Sequence, residues 1–236
     1  YTITADPCHE IASILVDGTP ITITDKQQMT YTFDPVQTLG REIAVSFADT
    51  YYTISVEFDG VTNPTVDQSV ICGGEFSYEI PAFTGHHLVA VTVGTDTLVL
   101  ANDTIAIDSV GEDVTFTAHY DLDEYDMTYT SEGAGTVTGP VKALYGETPV
   151  YTFTPQECSQ IASVLVDGVE VTSELVGSLT SGATYTFDPV DTAHNISVTF
   201  EVITYVLSTI YSGTGFGYCV PQQDTVECNE TVLYTI

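Results

Sequence analysis

The segment IASILVDG at residues 11–18 returns as IASVLVDG at residues 161–168. Downstream of each copy comes TYTFDPV, at residues 30–36 and again at residues 184–190. Each copy then closes with a segment of alternating polarity, EIAVSF in the first and NISVTF in the second. Because three blocks recur in the same order, we predict that the chain is built from tandem repeats.

A third, more diverged copy lies between these two. LVAVTVG at residues 88–94 takes the place of the first block, TIAIDSV that of the second, and VTFTAHY that of the closing segment. The repeat is therefore about 75 residues long. The predicted organisation is a back half of one repeat at 1–50, complete repeats at 51–126 and 127–203, and a front half at 204–236.

The chain begins and ends with the same three residues, YTI at 1–3 and YTI at 234–236. Superposing these two segments joins the front half to the back half and gives one full-length repeat. Two interpretations follow: the chain is a window cut from a longer array, or it is a subunit whose incomplete ends complete each other in neighbouring copies. We favour the window, because complementation between subunits does not need the YTI segment twice.

Most blocks alternate apolar and polar residues with a period of two. In NISVTF, Ile196, Val198 and Phe200 face one way and the hydroxyl side chains face the other, as in a half-buried strand. Asp-Gly pairs after the apolar runs, ending at Gly18 and Gly168, indicate tight hairpin turns. The predicted fold class is all-β, with tandem small antiparallel β-sandwich-like repeats and essentially no helix.

The chain is strongly acidic, with 33 Asp and Glu against 3 Lys and Arg and a formal net charge of −30. A surface of this charge repels phosphate backbones and anionic lipids, so nucleic-acid binding is not expected. The sequence contains no apolar run long enough to span a bilayer, and membrane insertion is not expected either. The 15 Tyr and 10 Phe supply bulk for packed cores, which excludes a disordered acidic tail.

The blocks at residues 161–168, 184–190 and 194–200 resemble the divergent relatives of the internalin B-repeat. Those repeats occur in tandem in large secreted and cell-surface proteins of bacteria. The resemblance covers the whole chain, closely in the first and third copies and loosely in the middle one. It implies an extracellular, all-β, non-catalytic spacer or adhesive module, and it names no ligand.

The cysteines fall into matching places of the repeat. Cys8 and Cys158 share one place, filled by Gly85 in the middle copy, and Cys72 and Cys228 share another, filled by Tyr145. Joining the two half-repeats brings Cys228 close to Cys8 of the next copy, and this is the leading predicted disulfide. Cys72 and Cys158 then bridge adjacent repeats or neighbouring chains, and Cys219 competes with Cys8 for Cys228. Connectivity stays open, because sequence alone does not decide it.

The densest acidic cluster, DLDEYD, lies at a junction between repeats. Calcium could bind there, since it prefers carboxylate oxygen ligands and would offset the repulsion between them. The cluster lacks the glycine and the terminal glutamate of an EF-hand loop, and a solvated linker is the simpler interpretation. The candidate ligands are Asp121, Asp123, Glu124 and Asp126.

Other functional signals are weak. The five histidines have no metal-ligand spacing, and no catalytic or nucleotide-binding motif is present, so we do not expect an enzyme or a cofactor other than calcium. Three Asn-X-Ser/Thr sequons are candidate glycosylation sites. They begin at Asn102, Asn195 and Asn229.

The leading functional hypothesis is a structural component of an extracellular fibre, stalk or sheath. Its partners are copies of itself, assembled head to tail by strand pairing. The alternative is an adhesin, or a module that binds a carbohydrate or protein ligand at the cell surface. The absence of Trp disfavours a sugar-stacking face. Exposed tyrosines could still provide one, the candidates being Tyr51, Tyr52, Tyr211 and Tyr218.

Overall fold

The computed structural model describes residues 1–37, 39–215, 217–220 and 223–233. Within these residues the regular structure is β-strand, apart from one 3₁₀ turn at Thr172–Glu174. This confirms the prediction of an all-β fold. The second YTI segment, at 234–236, lies outside the described residues.

The chain forms two compact units, Tyr1–Asp121 and Leu122–Ile236. The strands that begin in the first unit are β1 (Thr2–Thr4), β2 (His9–Val16), β3 (Thr19–Pro20), β4 (Gln28–Thr30), β5 (Ile43–Asp49), β6 (Tyr51–Asp59), β7 (Val66–Ile71), β8 (Phe76–Glu79), β9 (His86–Val93), β10 (Asp96–Leu98), β11 (Thr104–Ile107) and β12 (Val114–Leu122). Those of the second are β13 (Glu124–Glu132), β14 (Gly135–Thr138), β15 (Lys142–Leu144), β16 (Val150–Pro155), β17 (Ser159–Val166), β18 (Val169–Glu170), β19 (Val176–Ser178), β20 (Gly182–Thr186), β21 (His194–Val202), β22 (Thr204–Ser208) and β23 (Gln223–Glu227).

Residues 124–202 form a two-layer sandwich. One layer is a five-stranded sheet in the order β15-β13-β21-β17-β18, and the other is a four-stranded sheet in the order β14-β16-β20-β19. Apolar side chains from both layers make one buried cluster, in which Tyr151, Phe153, Ile196 and Val198 are fully enclosed. The core therefore lies between the layers, as expected when each strand carries one apolar face.

Residues 51–122 repeat the main features of this arrangement. Their five-stranded sheet has the order β10-β9-β12-β6-β7, and the small sheet β11-β8 contributes Phe76 and Ile105 to the same buried cluster as Ile54 and Phe116. In both regions the first strand lies next to the last strand of the large sheet.

These central pairs are parallel, whereas the sequence prediction was of antiparallel sandwiches. Met127 of β13 faces His194 of β21, and Ile54 of β6 faces Val114 of β12. The prediction is wrong in this detail because apolar alternation shows which face of a strand is buried and says nothing about its direction. The other strand pairs with a described register are antiparallel.

Single residues separate the closing strand of one region from the opening strand of the next. Thr50 stands between β5 and β6, and Ile203 between β21 and β22. The Thr50 N–H donates to the carbonyl of Cys8, and its own carbonyl accepts the N–H of Cys72. We call Thr50 and Ile203 the joint residues. Each is fixed on both sides by backbone hydrogen bonds.

The disulfides join Cys8 to Cys72 and Cys158 to Cys228, with Cα atoms 5.2 Å and 5.4 Å apart. The predicted bridge between Cys228 and Cys8 of another copy is therefore wrong, whereas Cys72 and Cys158 do bridge adjacent predicted repeats, each to a partner within the chain. The physical reason lies at the joint, where the backbone of Ile203 bonds Cys158 on one side and Cys228 on the other. Each bridge thus connects the back half of one predicted repeat to the front half of the next.

Cys219 is the cysteine left free, and it is buried. The competition with Cys8 for Cys228 that the sequence suggested does not occur. The hydroxyl of Tyr211 holds this segment by accepting the N–H of Cys219 and donating to its carbonyl.

Candidate assembly surfaces in residues 1–50 and 204–233

The closing strand of the first 50 residues has an open edge. In the described part of the chain β5 pairs with β2 alone, in the sheet β3-β2-β5. The corresponding strands β12 and β21 each lie between two neighbours, one of which is the parallel opening strand. An unpaired edge presents free backbone donors and acceptors, which is a template for adding a strand.

Side chains along β5 are exposed where their counterparts are buried. Phe47, Tyr120 and Phe200 each end the closing block of their segment. Phe47 is 49% exposed, whereas Tyr120 and Phe200 are each 4% exposed. Ile43 and Val45 are half-buried, although Ile196 and Val198 at the matching places are fully enclosed.

The valine of the TYTFDPV block behaves in the same way. Val36 is 60% exposed, while Val110 and Val190 are 1% and 2% exposed. Both buried valines are held by backbone hydrogen bonds from the opening half of their region. The Val190 carbonyl accepts the N–H of Gly146, and its N–H donates to the carbonyl of Glu147. Val36 is thus exposed at a place where the two matching valines are buried.

An aromatic cleft of about 520 Å³ opens beside these residues. Tyr1, Tyr31 and Phe33 form its wall, with ring centroids 5.8 Å apart for Tyr1–Phe33 and 5.0 Å apart for Tyr31–Phe33, both edge to face. The guanidinium of Arg41 lies 5.1 Å from the centre of the Phe33 ring. Ile43 of β5 lines the same cleft.

The same aromatic set is found filled in residues 124–203. Tyr151, Tyr185 and Phe187 pack edge to face, with centroid distances of 5.9 Å for Tyr151–Phe187 and 5.1 Å for Tyr185–Phe187. Burial there raises the pKa of the Tyr151 phenol, whose hydroxyl donates to the carbonyl of Pro140. Met127, Val137 and Ala143 of the opening half belong to the same buried cluster.

Residues 204–233 carry a hairpin of the kind that fills this space. Tyr205 of β22 faces Val226 of β23, as Tyr125 faces Ala143 between β13 and β15. On this register Leu207 corresponds to Met127. The following turn also matches, because Asn229 has a positive φ of 66°, the conformation that Gly73 and Gly146 adopt at 76° and 81°.

An aspartate in the hairpin turn fixes the start of β5 and of β21. Asp17 accepts the Glu42 N–H at 2.9 Å and pairs with Arg41, with 2.7 Å between Oδ2 and Nε. Asp167 does the same with the Asn195 N–H at 2.8 Å and with His194. Burial alone would raise the pKa of Asp167, but the hydrogen bonds from His194 and Asn195 outweigh it, and the pKa lies below its usual value. Arg41 is thereby held over the cleft.

Two glycines at matching places, Gly133 and Gly213, have different surroundings. A Cβ at Gly133 would overlap the carbonyl oxygen of Phe200, whereas a Cβ at Gly213, the matching place in 204–233, meets nothing within 4 Å. We expect Gly133→Ala to lower the free energy of unfolding by about 3 kcal/mol, since it combines a positive φ of 82° with overpacking. Gly213→Ala should cost only the backbone term, about 1 kcal/mol.

Urea unfolding of the two variants measures both effects under one condition. Gly18→Ala is a suitable control, because Gly18 also has a positive φ, 78°, and its Cβ would meet open space. Equal losses of stability in the Gly133 and Gly213 variants would show that the carbonyl contact does not matter.

The predicted calcium ligands are not gathered into a site. Among the described residues no group of three or more His, Cys, Asp or Glu side chains could hold a metal ion. Glu124 instead bonds the ammonium of Lys142 and raises its pKa. Successive side chains on an extended backbone point to opposite faces. Asp121 and Asp123 therefore point to one face and Glu124 and Asp126 to the other, so the four carboxylates do not converge.

The three sequon asparagines are all exposed. Asn102 lies in a turn before β11 with φ of 55°. The side-chain amide of Asn195 donates to the hydroxyl of Thr128, and that of Asn229 lies 3.0 Å from Sγ of Cys158. Glycosylation stays a prediction for each of them, and Asn102 is the one that lies outside a strand and away from these contacts.

The tyrosines considered for ligand binding differ in their exposure. Tyr51 is exposed, but its neighbour Tyr52 packs against the core of residues 51–122. Tyr211 is exposed on its ring and engaged at its hydroxyl by Cys219, and Tyr218 is exposed. Sequence reasoning did not single out Phe47, Val36, Arg41 or the Tyr1 cleft. The signal was available for Phe47 and Val36, because they align with the last residues of the NISVTF and TYTFDPV blocks of the other copy.

No helix in the described residues is long and apolar enough to cross a membrane. No protein-family model and no curated protein match the chain. Among solved structures it is similar to SGBP-B of the mixed-linkage glucan utilization locus of Bacteroides ovatus, in complex with a mixed-linkage heptasaccharide. The identity is 9% and the TM-score 0.15, over 90% of this chain and 65% of that one. The chain thus spans less than two thirds of that protein, and a TM-score this low carries no argument about fold or function.

Proposed function

We propose that this chain is a non-catalytic structural component of an extracellular fibre, stalk or sheath, built head to tail from tandem β-repeats. One observation carries the proposal. Positions of residues 1–50 that are exposed, above all Phe47 and Val36, are buried at the matching places of residues 51–122 and 124–202. The hairpin that would cover them is present in the same chain at 204–233.

The energetics favour association through these surfaces. Burying a large apolar side chain stabilises by about 1.5–3 kcal/mol, so Phe47 and Val36 together provide a substantial driving force. The two surfaces are different from each other, and a contact between unlike surfaces continues into a filament unless its rotation closes a ring. Head-to-tail growth follows from this asymmetry.

The proposed location rests on chemistry. Two disulfides are typical of oxidising compartments outside the cytosol. The net charge of −30 keeps such a chain soluble and limits non-specific contacts. The resemblance to internalin B-repeat relatives supports the same assignment to secreted or surface proteins.

Light scattering coupled to size-exclusion chromatography tests the proposal, with negative-stain imaging of the largest species. We expect the mass to rise with protein concentration and with ionic strength, because salt screens repulsion between chains of this charge. Phe47→Glu should keep the chain monomeric. The matched control is Val99→Glu, at a fully exposed valine outside the two surfaces. A monomer at every concentration and salt level would contradict assembly.

The alternative, a ligand-binding module, draws on the open cleft formed by Tyr1, Tyr31 and Phe33. Tyrosine rings can stack on sugars, and such a cleft is a reasonable size for a small ligand. A glycan screen distinguishes the two functions. Sugar binding that is lost in Phe33→Ala, without any concentration-dependent mass, would favour the alternative.

A further inference from the structure

We propose that residues 207–212 of a second copy, which begin in β22 and continue past its end, add as a parallel strand to residues 41–46, at the start of the open edge of β5, in one fixed register with Leu207 opposite Arg41 and Ser208 opposite Glu42. This rests on the proposed function and specifies its partner, which is residues 204–233 of another chain. The strand edge, the cleft and the exposed valine are each satisfied by a different part of that segment.

The register is set by two internal examples. Ile54 is the fourth residue after Thr50 and pairs with Val114, the ninth residue before Asp123. Met127 holds the same place after Asp123 and pairs with His194, the ninth residue before Ile203. Leu207 is the fourth residue after Ile203, and Arg41 is the ninth before Thr50. Since both examples use one register, the same register is expected between residues 207–212 of one copy and residues 41–46 of the other.

The outward side chains fit this register. The amide of Asn195 donates to the Thr128 hydroxyl at 2.9 Å across β21 and β13. At the matching places stand Glu42 and Ser208, a carboxylate acceptor and a hydroxyl donor. A hydrogen bond across the two strands is therefore still formed, but its direction is reversed: Ser208 is the donor and Glu42 the acceptor.

The inward side chains fit the cleft. Leu207 takes the place of Met127, and Val226 takes that of Ala143. Both would lie against the Tyr1, Tyr31 and Phe33 wall, as Met127 and Ala143 share a buried cluster with Tyr151 and Phe187. Because Leu is close to Met in volume, the exchange at this place changes little in the packing.

A second contact would clamp the valine. In residues 51–122 the Val110 carbonyl accepts the Gly73 N–H at 2.7 Å, and its N–H donates to the Gly74 carbonyl at 2.9 Å. The matching groups in the incoming segment are the backbones of Asn229 and Glu230, and in the receiving copy the backbone of Val36. The turn is already formed, since the Glu227 N–H donates to the Glu230 carboxylate at 2.9 Å, as the Leu144 N–H does to Glu147 at 2.8 Å.

Cysteine cross-linking between two full-length chains tests the register. One chain carries Glu42→Cys and the other Ser208→Cys. Both have a Cys219→Ser background, so that the remaining cysteines are those of the native disulfides. The mixed chains are oxidised gently and the products resolved by mass. The matched control replaces Glu42→Cys with Ala44→Cys, which lies on the same face of β5 but opposite Ile210 in the proposed register.

We expect a covalent heterodimer with Glu42→Cys at least about tenfold more abundant than with Ala44→Cys, because Cβ atoms two residues out of register are too far apart for a disulfide. Preferred cross-linking at Ala44→Cys, in chains whose light-scattering mass still grows, would overturn the register and leave the proposed assembly standing. Absence of both cross-links together with a constant monomer mass would overturn the register and the assembly. Equal yields of heterodimer from Glu42→Cys and from Ala44→Cys would overturn a unique register.

Discussion

A circular permutant that begins at Glu124, continues from Leu233 directly into Tyr1 and ends at Asp123 is expected to stay monomeric under conditions in which the original chain assembles. In this permutant the hairpin β22–β23 and residues 1–50 become one continuous segment, and YTI at 1–3 replaces its duplicate at 234–236. The two surfaces then meet within one molecule.

The expected change is large because linking two binding surfaces raises their effective concentration to about millimolar. At lower protein concentrations the intramolecular contact should displace the intermolecular one completely. Light scattering gives the mass, and thermal unfolding should show a melting temperature independent of concentration. Phe47 and Val36 should also be protected in the monomer, which hydrogen exchange at their backbone amides can follow.

The same permutant carrying Phe47→Glu provides the control. It should melt at a lower temperature than the unmodified permutant but remain monomeric, because the charged side chain cannot occupy the place that Phe200 fills in residues 124–202. Continued growth of the unmodified permutant into filaments would contradict the pairing of these two segments.

Removal of one disulfide is the second large effect. We expect Cys8→Ser with Cys72→Ser to lower the free energy of unfolding by about 4 kcal/mol, the chain-entropy value for a closed loop of this size. The bridge spans 64 residues and crosses the joint at Thr50. Residues 1–49 should suffer most, because their buried cluster contains only Ile3, Ala5, Ile11 and Ile14 in the described structure.

Urea unfolding measures the loss, and hydrogen exchange locates it. Amides of β2 and β5 should exchange faster in the double variant, while those of β9 and β12 keep most of their protection. Cys219→Ser is the matched control for a thiol outside the bridges, and its effect should be smaller, about 1 kcal/mol. An unchanged urea midpoint in the double variant would mean that the bridge does not stabilise the joint.

The strand content and the hairpin turns were predictable from the sequence because both are local properties. Alternation in NISVTF gave the buried face of β21, on which Ile196, Val198 and Phe200 are enclosed. The Asp-Gly pairs gave turns in which both residues have positive φ, 51° at Asp167 and 81° at Gly168. Strand direction was not available in the same way, since it depends on which distant segments meet.

The predicted disulfide between Cys228 and Cys8 was wrong because it rested on their separation along the sequence within one assembled repeat. Cys228 and Cys8 seemed close across the joined halves, but the structure places each cysteine beside a joint residue. There Cys158 is adjacent to Cys228 through Ile203, despite a separation of 70 residues. Because the pairing is fixed by backbone hydrogen bonds at one joint residue, it cannot be predicted from the spacing of the cysteines along the sequence.

The proposed assembly surface rests partly on the sequence and partly on the coordinates. The duplicated YTI segment indicated two complementary halves, yet exposure of Phe47 against burial of Tyr120 and Phe200 needs coordinates. Calcium binding stays a prediction, and carboxylates that are neighbours in sequence, such as Asp123 and Glu124, diverge when the backbone is extended.

The placement of the two bridges also sets how this chain responds to pulling. Cys8 and Cys72 enclose the joint and all strands from β2 to β7 in one covalent loop. Tension applied at the ends of the polypeptide bypasses that loop through the sulfur atoms, and the enclosed residues cannot lengthen even when their sheets are torn apart. The loop closed by Cys158 and Cys228 limits extension in the same manner, so tension can unravel the residues outside the two loops, mainly 73–157, and reduction would add the enclosed residues to the extensible length.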